Sequence, residues 1–147
     1  MNYRHAFHAG NFGDVLKHVV LARVLAHLAL KDAAYRVIDT HAGIGRYDLL
    51  AGEAERTGEW RDGVARVLAA EPPAGVAALL EPWRRAVAAE NPAGGLAAYP
   101  GSPALALRLM RPHDRLTAVE LHPDDRRTLQ RAIGRDKIGR ASCRERV

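Results

Sequence analysis

The chain of 147 residues has a single cysteine, Cys143, and aromatics make up only 5% of it. A lone cysteine excludes an internal disulfide and any cysteine zinc cluster. No run of 18 or more apolar residues occurs, and no charged, apolar, small signal pattern stands at the start. A soluble cytoplasmic protein is therefore the default. The seven histidines are scattered without ligand spacing such as H-E-x-x-H, so no metal is implied. An excess of charge is also nearly missing. The formal net of +5 is concentrated in Lys137–Val147, which hold four basic residues and one acid; the rest balances 18 basic against 16 acidic residues. Bulk charge is thus weak support for a polyanion partner. What is present is ordinary apolar content, 48% of the chain, and enough length for one domain with a real core.

The most informative stretch is Y-R-V-I-D-T-H-A-G-I-G-R-Y, residues 35 to 47. It reads as a short buried strand, with β-branched Val37 and Ile38, running into a glycine turn. Gly43 and Gly45 let the backbone bend and approach a ligand that a Cβ would obstruct. A nucleotide-type cofactor is held this way at the carboxyl edge of a doubly wound α/β sheet. An acid ending a neighbouring strand would accept hydrogen bonds from a ribose, and Glu120, closing L-T-A-V-E, fits.

Residues 1 to 14 gather Tyr3, Arg4, His5, Phe7, His8 and Phe12 around two glycines. Such groups suit a nucleobase and its phosphate; equally, they describe a tucked-in arm whose aromatics finish the core. A helix is expected from about Asp14 to Leu30, capped by Asn11 or Asp14, with Leu16, Val19, Val20, Val24, Leu25 and Leu28 as its apolar stripe. Lys17 and His18 fall near its amino end, where anions are favoured, although a solvated Lys and a boundary His would satisfy the spacing as well.

Glu120 lies 75 residues past Gly45, whereas a plain nucleotide fold places its ribose acid about 20 residues on. Residues 48–100 therefore read as an inserted helical subdomain, with one stripe of Trp60, Val64, Val67 and Leu68 and another of Val76, Leu79, Leu80, Trp83 and Val87, and with Pro82 kinking or restarting the second helix. Arg61, Arg66, Arg84 and Arg85 face either RNA or solvent. Residues 1–47 and 101–136 supply the remaining α/β portion. In Y-P-G-S-P, Ser102 is placed to cap the next helix, with Pro103 at its first position. Lys137–Val147 show no apolar periodicity and resemble the translation of a common sequencing adapter, so a non-native tail on a truncated sheet is expected. An open half sheet would be an aggregation hazard.

Y-R-H-A-F-H-A-G-N-F-G-D-V-L-K-H, D-T-H-A-G-I-G-R-Y, A-E-R-T-G-E-W, Y-P-G-S-P and E-L-H-P-D-D together resemble the bacterial RlmJ family, in order and spacing, from about residue 2 to 136. The resemblance implies a Rossmann-like methyltransferase fold that uses S-adenosylmethionine to methylate the N6 amine of one adenine in 23S ribosomal RNA, as protein-free or early-assembly RNA, by a monomer when full length. It implies cofactor contacts for His18, His41, Ser102 and Glu120, beside Gly43 and Lys17. It implies substrate RNA at Tyr3, with His5 and Lys17 in motifs tied to activity. The D-P-P-Y motif that carries the family's proton acceptor is absent; the sole Pro-Pro, at 72 and 73, precedes Ala74. A nicotinamide-dependent oxidoreductase and a non-catalytic RNA-binding module remain as alternatives, the first weakened because Asp48 occupies the third glycine position of G-x-G-x-x-G.

Overall fold

The computed structural model describes residues 5–134 and the backbone of residues 141–145. A 3₁₀ turn, His5–His8, precedes helix α1 (Phe12–Leu28). Strand β1 (Arg36–Asp39) leads through the glycine turn to β2 (Arg46–Asp48). Helix α2 (Gly52–Thr57), a π turn (Arg61–Ala65), α3 (Arg66–Ala69) and α4 (Ala74–Glu90) follow. The chain returns as β3 (Ala98–Pro100), α5 (Ser102–Leu109), β4 (Arg115–Glu120), α6 (Pro123–Ile133) and β5 (Ala141–Glu145). Among the described residues, β1, β4 and β5 form a parallel sheet in that order, and β2 pairs antiparallel with β3. This is a small mixed α/β domain.

Helix α1 starts at Phe12 because the Asn11 side chain accepts the Asp14 amide at 2.9 Å, the bond an N-cap residue makes. Its buried face is not the expected stripe. Val15, His18, Ala22 and Leu25 turn inward, at offsets of three, four and three, while Leu16, Val20 and Val24 are exposed, Leu16 by 68%. The helix is apolar on more than one face, so periodicity admits several stripes. The packing of α4 and α5 against one side selects among them.

Two cores result. Val15 and Ala22 of α1 pack with Trp83, Val87, Tyr99 and Leu105; Leu25 packs with Ala106, Met110, Leu116, Ala118, Leu129 and Ile133, between the sheet and its helices. The segment between β2 and β3 leaves and returns on adjacent strands, with Tyr47 opposite Tyr99. Its helices share the first core with α1 rather than building one of their own. Within α4, Val76 and Leu79 are exposed, so only the Trp83–Val87 end of the expected stripe is buried. Pro82 lies inside an unbroken α4. A proline removes one amide donor, and the burial of Pro82, Trp83, Ala86 and Val87 outweighs that loss.

Polar bonds fasten the described part of the amino-terminal arm, and its Phe12 is 80% exposed rather than part of the core. Thr57 Oγ1 donates to the Phe7 carbonyl at 2.6 Å, and Glu59 accepts from Asn11 Nδ2 and pairs with His8, both at 3.0 Å. Val64 N donates to the Gly10 carbonyl at 2.8 Å. That approach requires Gly63, where a Cβ would stand 2.1 Å from the same oxygen.

Strand β1 is less buried than expected. Its pattern alternates exposed and half-buried, with Ile38 63% exposed, because one face of the strand has no covering element among the described residues. Residues 141–145 form a strand, β5, in register with β4 from Leu116↔Ala141 to Glu120↔Glu145. Ladder pairing is made by backbone groups and places little demand on side-chain pattern, which is why apolar periodicity did not reveal it.

Candidate functional site

The carboxyl ends of β1 and β4 lie side by side, Asp39 opposite Ala118, and the loops leaving them carry the site. Gly43 and Gly45 both have positive φ, 60° and 82°, as the turn demands. The space where a Cβ on Gly43 would sit is taken by the Tyr47 hydroxyl, 2.3 Å away, and that on Gly45 by Leu129 Cδ1 at 2.9 Å. The glycines thus serve close packing of the turn onto its own domain as well as its bend.

Glu120 closes this turn. Its Oε2 accepts the Gly43 amide at 2.8 Å and its Oε1 accepts the His122 amide at 2.8 Å. Each oxygen keeps acceptor capacity, and the side chain is half-buried. Asp39 is fixed in the same manner: Oδ1 accepts the His41 amide at 3.1 Å and Oδ2 the Ser102 hydroxyl at 2.6 Å. Ser102 is therefore not the cap of α5. Gly101 occupies that position, with Ser102 and Pro103 inside the first turn, and the hydroxyl reaches across to β1 instead.

A groove of about 340 Å³ runs over the end of β1, lined by Lys17, Leu21, Val37, Ile38, Asp39, Thr40, His41 and Ser102. It shares Lys17, His41 and Ser102 with a hollow of about 30 Å³ that also involves His5, His18, Ala42, Tyr47 and Gly101. Of the residues expected at the site, His5, Lys17, His18, His41 and Ser102 meet here, while Gly43 and Glu120 bond each other next to it. Tyr3 lies outside the described residues.

His18 is only 1% exposed and stacks on Tyr99, with ring centroids 5.5 Å apart. Tyr99 Oη accepts Trp83 Nε1–H at 3.3 Å and lies 3.0 Å from His18 Nδ1. All three groups are satisfied when the phenol donates to Nδ1, which puts the histidine proton on Nε2. That Nε2 has no partner among the described residues. Burial lowers the His18 pKa to about 4 against the opposing field of Asp14. His18 is therefore a neutral donor lining the hollow near neutral pH.

Behind it sits Asp14, a residue that sequence reasoning considered only as a cap. It is 2% exposed and accepts from Lys17 Nζ at 2.7 Å, from Gly10 N at 3.1 Å, and from His5 Nε2 at 3.0 Å. Burial works against its charge. The His5 bond, the fields of His18 and His5, and the Lys17 bond overcome this and hold the carboxyl well below the usual carboxylate range. Burial likewise raises the phenols of Tyr47 and Tyr99 well above their ordinary range. The signal for Asp14 was its place three residues before Lys17 on one helix face. The arginines of the helical segment contribute less to a ligand surface than their number suggests. Arg61 pairs with Glu55 at 2.8 Å, Arg85 with Glu81 at 3.5 Å, and Arg84 donates to the carbonyls of Val67 and Ala70.

A family profile described as "Ribosomal RNA large subunit methyltransferase D, RlmJ" matches residues 32–146, which include the glycine turn, Ser102 and Glu120. The chain belongs to the RlmJ family. Two proteins named Ribosomal RNA large subunit methyltransferase J are similar to it. That of Escherichia coli K12 is 43% identical over 140 residues, covering 95% of this chain and 49% of the relative. That of Haemophilus influenzae is 39% identical over 145 residues, covering 97% and 50%. A crystal structure of protein LPL1258 from Legionella pneumophila superposes with a TM-score of 0.79 at 31% identity, over 95% of this chain and 49% of that one. The chain thus spans about half the length of the RlmJ relatives it matches. Among the described residues no helix is long and apolar enough to cross a membrane, and no cluster of side chains suits a metal ion.

Proposed function

We propose that this chain is the cofactor-side portion of an S-adenosylmethionine-dependent, Rossmann-like enzyme that methylates the N6 amine of an adenine in 23S ribosomal RNA. The observation that carries the reading is Glu120: an acid at the end of the strand next to β1, anchored by the Gly43 and His122 amides with one acceptor position on each oxygen to spare. A ribose diol needs two such acceptors side by side. The donor set around the groove fits the rest of the cofactor. His18 Nε2–H and the Lys17 ammonium would serve its carboxylate, and His41 and Ser102 line the wall between them.

When bound, S-adenosylmethionine supplies a methyl group on a sulfonium. The exocyclic amine of adenine is a poor nucleophile because its lone pair is delocalised into the ring, so transfer depends on positioning and alignment. His5, held on Asp14 beside the hollow, and Tyr3 would receive the base, which must first leave its stack. The proton acceptor belongs to a D-P-P-Y motif that this sequence does not contain. Activity is therefore assigned to a longer chain, and cofactor binding to this part.

The oxidoreductase alternative fares worse on geometry. A dinucleotide fold passes from its glycine turn into a helix whose amino end receives the pyrophosphate, whereas here the turn enters β2, and Asp48 is its last residue. Calorimetric titration with S-adenosylhomocysteine and with NAD tests the choice. Saturable binding of the first alone is expected. Binding of NAD alone would overturn the reading, and RNA binding with neither cofactor would favour the plain RNA-binding module.

A further inference from the structure

A second polar cleft lies behind the glycine turn, away from the groove over β1. It has a volume of about 450 Å³ and is lined by Arg46, Glu90, Arg108 and Arg131 over a floor that includes Leu107 and Ile133. Arg46 follows the turn directly, and Ala132 and Ile133 stand 3.6 Å from where a Cβ on Gly45 would lie, so the turn is the wall between the two sites. Glu90 is buried and organises the cleft. Its Oε1 accepts Arg108 Nε at 2.9 Å and is ion-paired with Nη2 at 2.9 Å; its Oε2 is ion-paired with Arg46 Nε at 3.1 Å; its carbonyl accepts Arg46 Nη2 at 3.2 Å. Both guanidinium groups are thereby held, their Nη1 donors have no partner among the described residues, and both side chains remain about half exposed. Arg131 arrives from α6 and has no ion-pair partner among the described residues. Three arginines against one glutamate leave the cleft at a net +2. The chain as a whole is nearly balanced outside its last eleven residues, which makes this local excess informative.

We propose that this cleft binds phosphate groups of an RNA backbone, as a docking site separate from the cofactor groove. Guanidinium forks fixed by a buried acid suit phosphate oxygens, and such contacts position an RNA without reading its sequence. The partner's identity as RNA rests on the methyltransferase reading; the phosphate chemistry does not.

The test is fluorescence anisotropy with a labelled single-stranded RNA oligonucleotide on the whole chain, over a salt series, for the parent, Arg131→Gln, Arg108→Gln and the control Arg85→Gln. Each lost phosphate contact should make the slope of log K against log salt shallower by about 0.7 and weaken binding about fivefold at 0.1 M salt. Arg131→Gln removes an exposed side chain with no ion-pair partner, so its effect is separable from any loss of folding at Arg108. Arg85→Gln should match the parent. Parent-like affinity and slope for Arg131→Gln and Arg108→Gln, an equal loss for Arg85→Gln, or no RNA binding by the parent would overturn the proposal. Titration of S-adenosylhomocysteine into the same proteins keeps the two readings apart: failure there removes the cofactor assignment, while an unchanged RNA slope removes the cleft.

Discussion

Strand β4 carries a carboxylate at each end, and the two are used differently. Asp114, just before its first residue, is fully buried and saturated. Oδ1 accepts the Tyr35 amide at 3.1 Å and Arg111 Nη2 at 3.0 Å, and Oδ2 accepts Arg111 N at 2.8 Å and Nε at 3.0 Å. Arg111 also donates to the carbonyls of Ala29, Lys31 and Ala33, tying the end of α1 to the entry of β1. The Arg111 hydrogen bonds hold the Asp114 carboxyl well below the usual range. Glu120, at the strand's last residue, accepts two backbone amides among the described residues and stays half-buried. The first acid has no capacity left for a ligand, and the second is pre-positioned with capacity to spare. Acceptor capacity left over, together with partial exposure, is what distinguishes the candidate site acid from the structural one.

The largest effect expected from breaking this contrast is at the saturated end. Asp114→Ala leaves Arg111 without its anion and the Tyr35 amide without an acceptor, and should cost about 3–5 kcal/mol in chemical denaturation. Affinity of the folded fraction for S-adenosylhomocysteine should not change; a stable Asp114→Ala protein would remove the clamp from the account. At the open end, Glu120→Gln should weaken S-adenosylhomocysteine about 10- to 100-fold, the loss expected for charge-assisted bonds. The melting temperature should shift by less than about 4 °C. A large stability loss with intact affinity would make the two acids alike.

Acid sensitivity sharpens the contrast further. The folded-state pKa of His18, lowered to about 4, lies below its unfolded value of about 6.5. The unfolded chain therefore takes up the proton first, and stability falls as pH drops from about 6.5 to 4, by at most about 1.4 kcal/mol per pH unit. The depressed Asp14 and Asp114 contribute stability above their unfolded value near 4, and lose it only as pH falls below that. Denaturation midpoints measured from pH 7 to 4 should decline for the parent and flatten in His18→Gln; an unchanged slope in the variant would reassign the decline. The smallest effect should come from Ser102→Ala, which frees Asp39 Oδ2 from one hydroxyl and should cost about 1 kcal/mol in stability. A null result by thermal melting would leave Ser102 a lining residue only.

Much of the site could be read before the fold because its backbone demands are local. Gly43, Gly45 and the acid of L-T-A-V-E announce a turn and a strand end within a few residues of themselves. The membership of the RlmJ family, expected from five spaced motifs, is borne out by the family match. Where reading failed, the deciding contact lay outside the element that was being read. Ser102 looks like a cap until Asp39, 63 residues away, takes its hydroxyl. Asp14 looks like a cap until His5 and Gly10 converge on it from the preceding turn. The buried face of α1 could not be chosen from an apolar sequence that offers several, and the exposure of Ile38 depends on what covers β1 rather than on its own β-branched character. The edge strand β5 carries the same lesson, since pairing through the backbone leaves almost no signature in residue type.

The most direct test of the central claim is a titration of S-adenosylhomocysteine followed by amide NMR. The Gly43 and His122 amides both bond Glu120, so a ribose engaging that carboxylate must perturb them. The account predicts saturable shifts that are largest at Gly43, His122 and His41, small at Tyr35 and Arg111, and absent with NAD. Saturable binding that leaves Gly43 and His122 unmoved, or shifts of equal size at Tyr35 and Arg111, would contradict it.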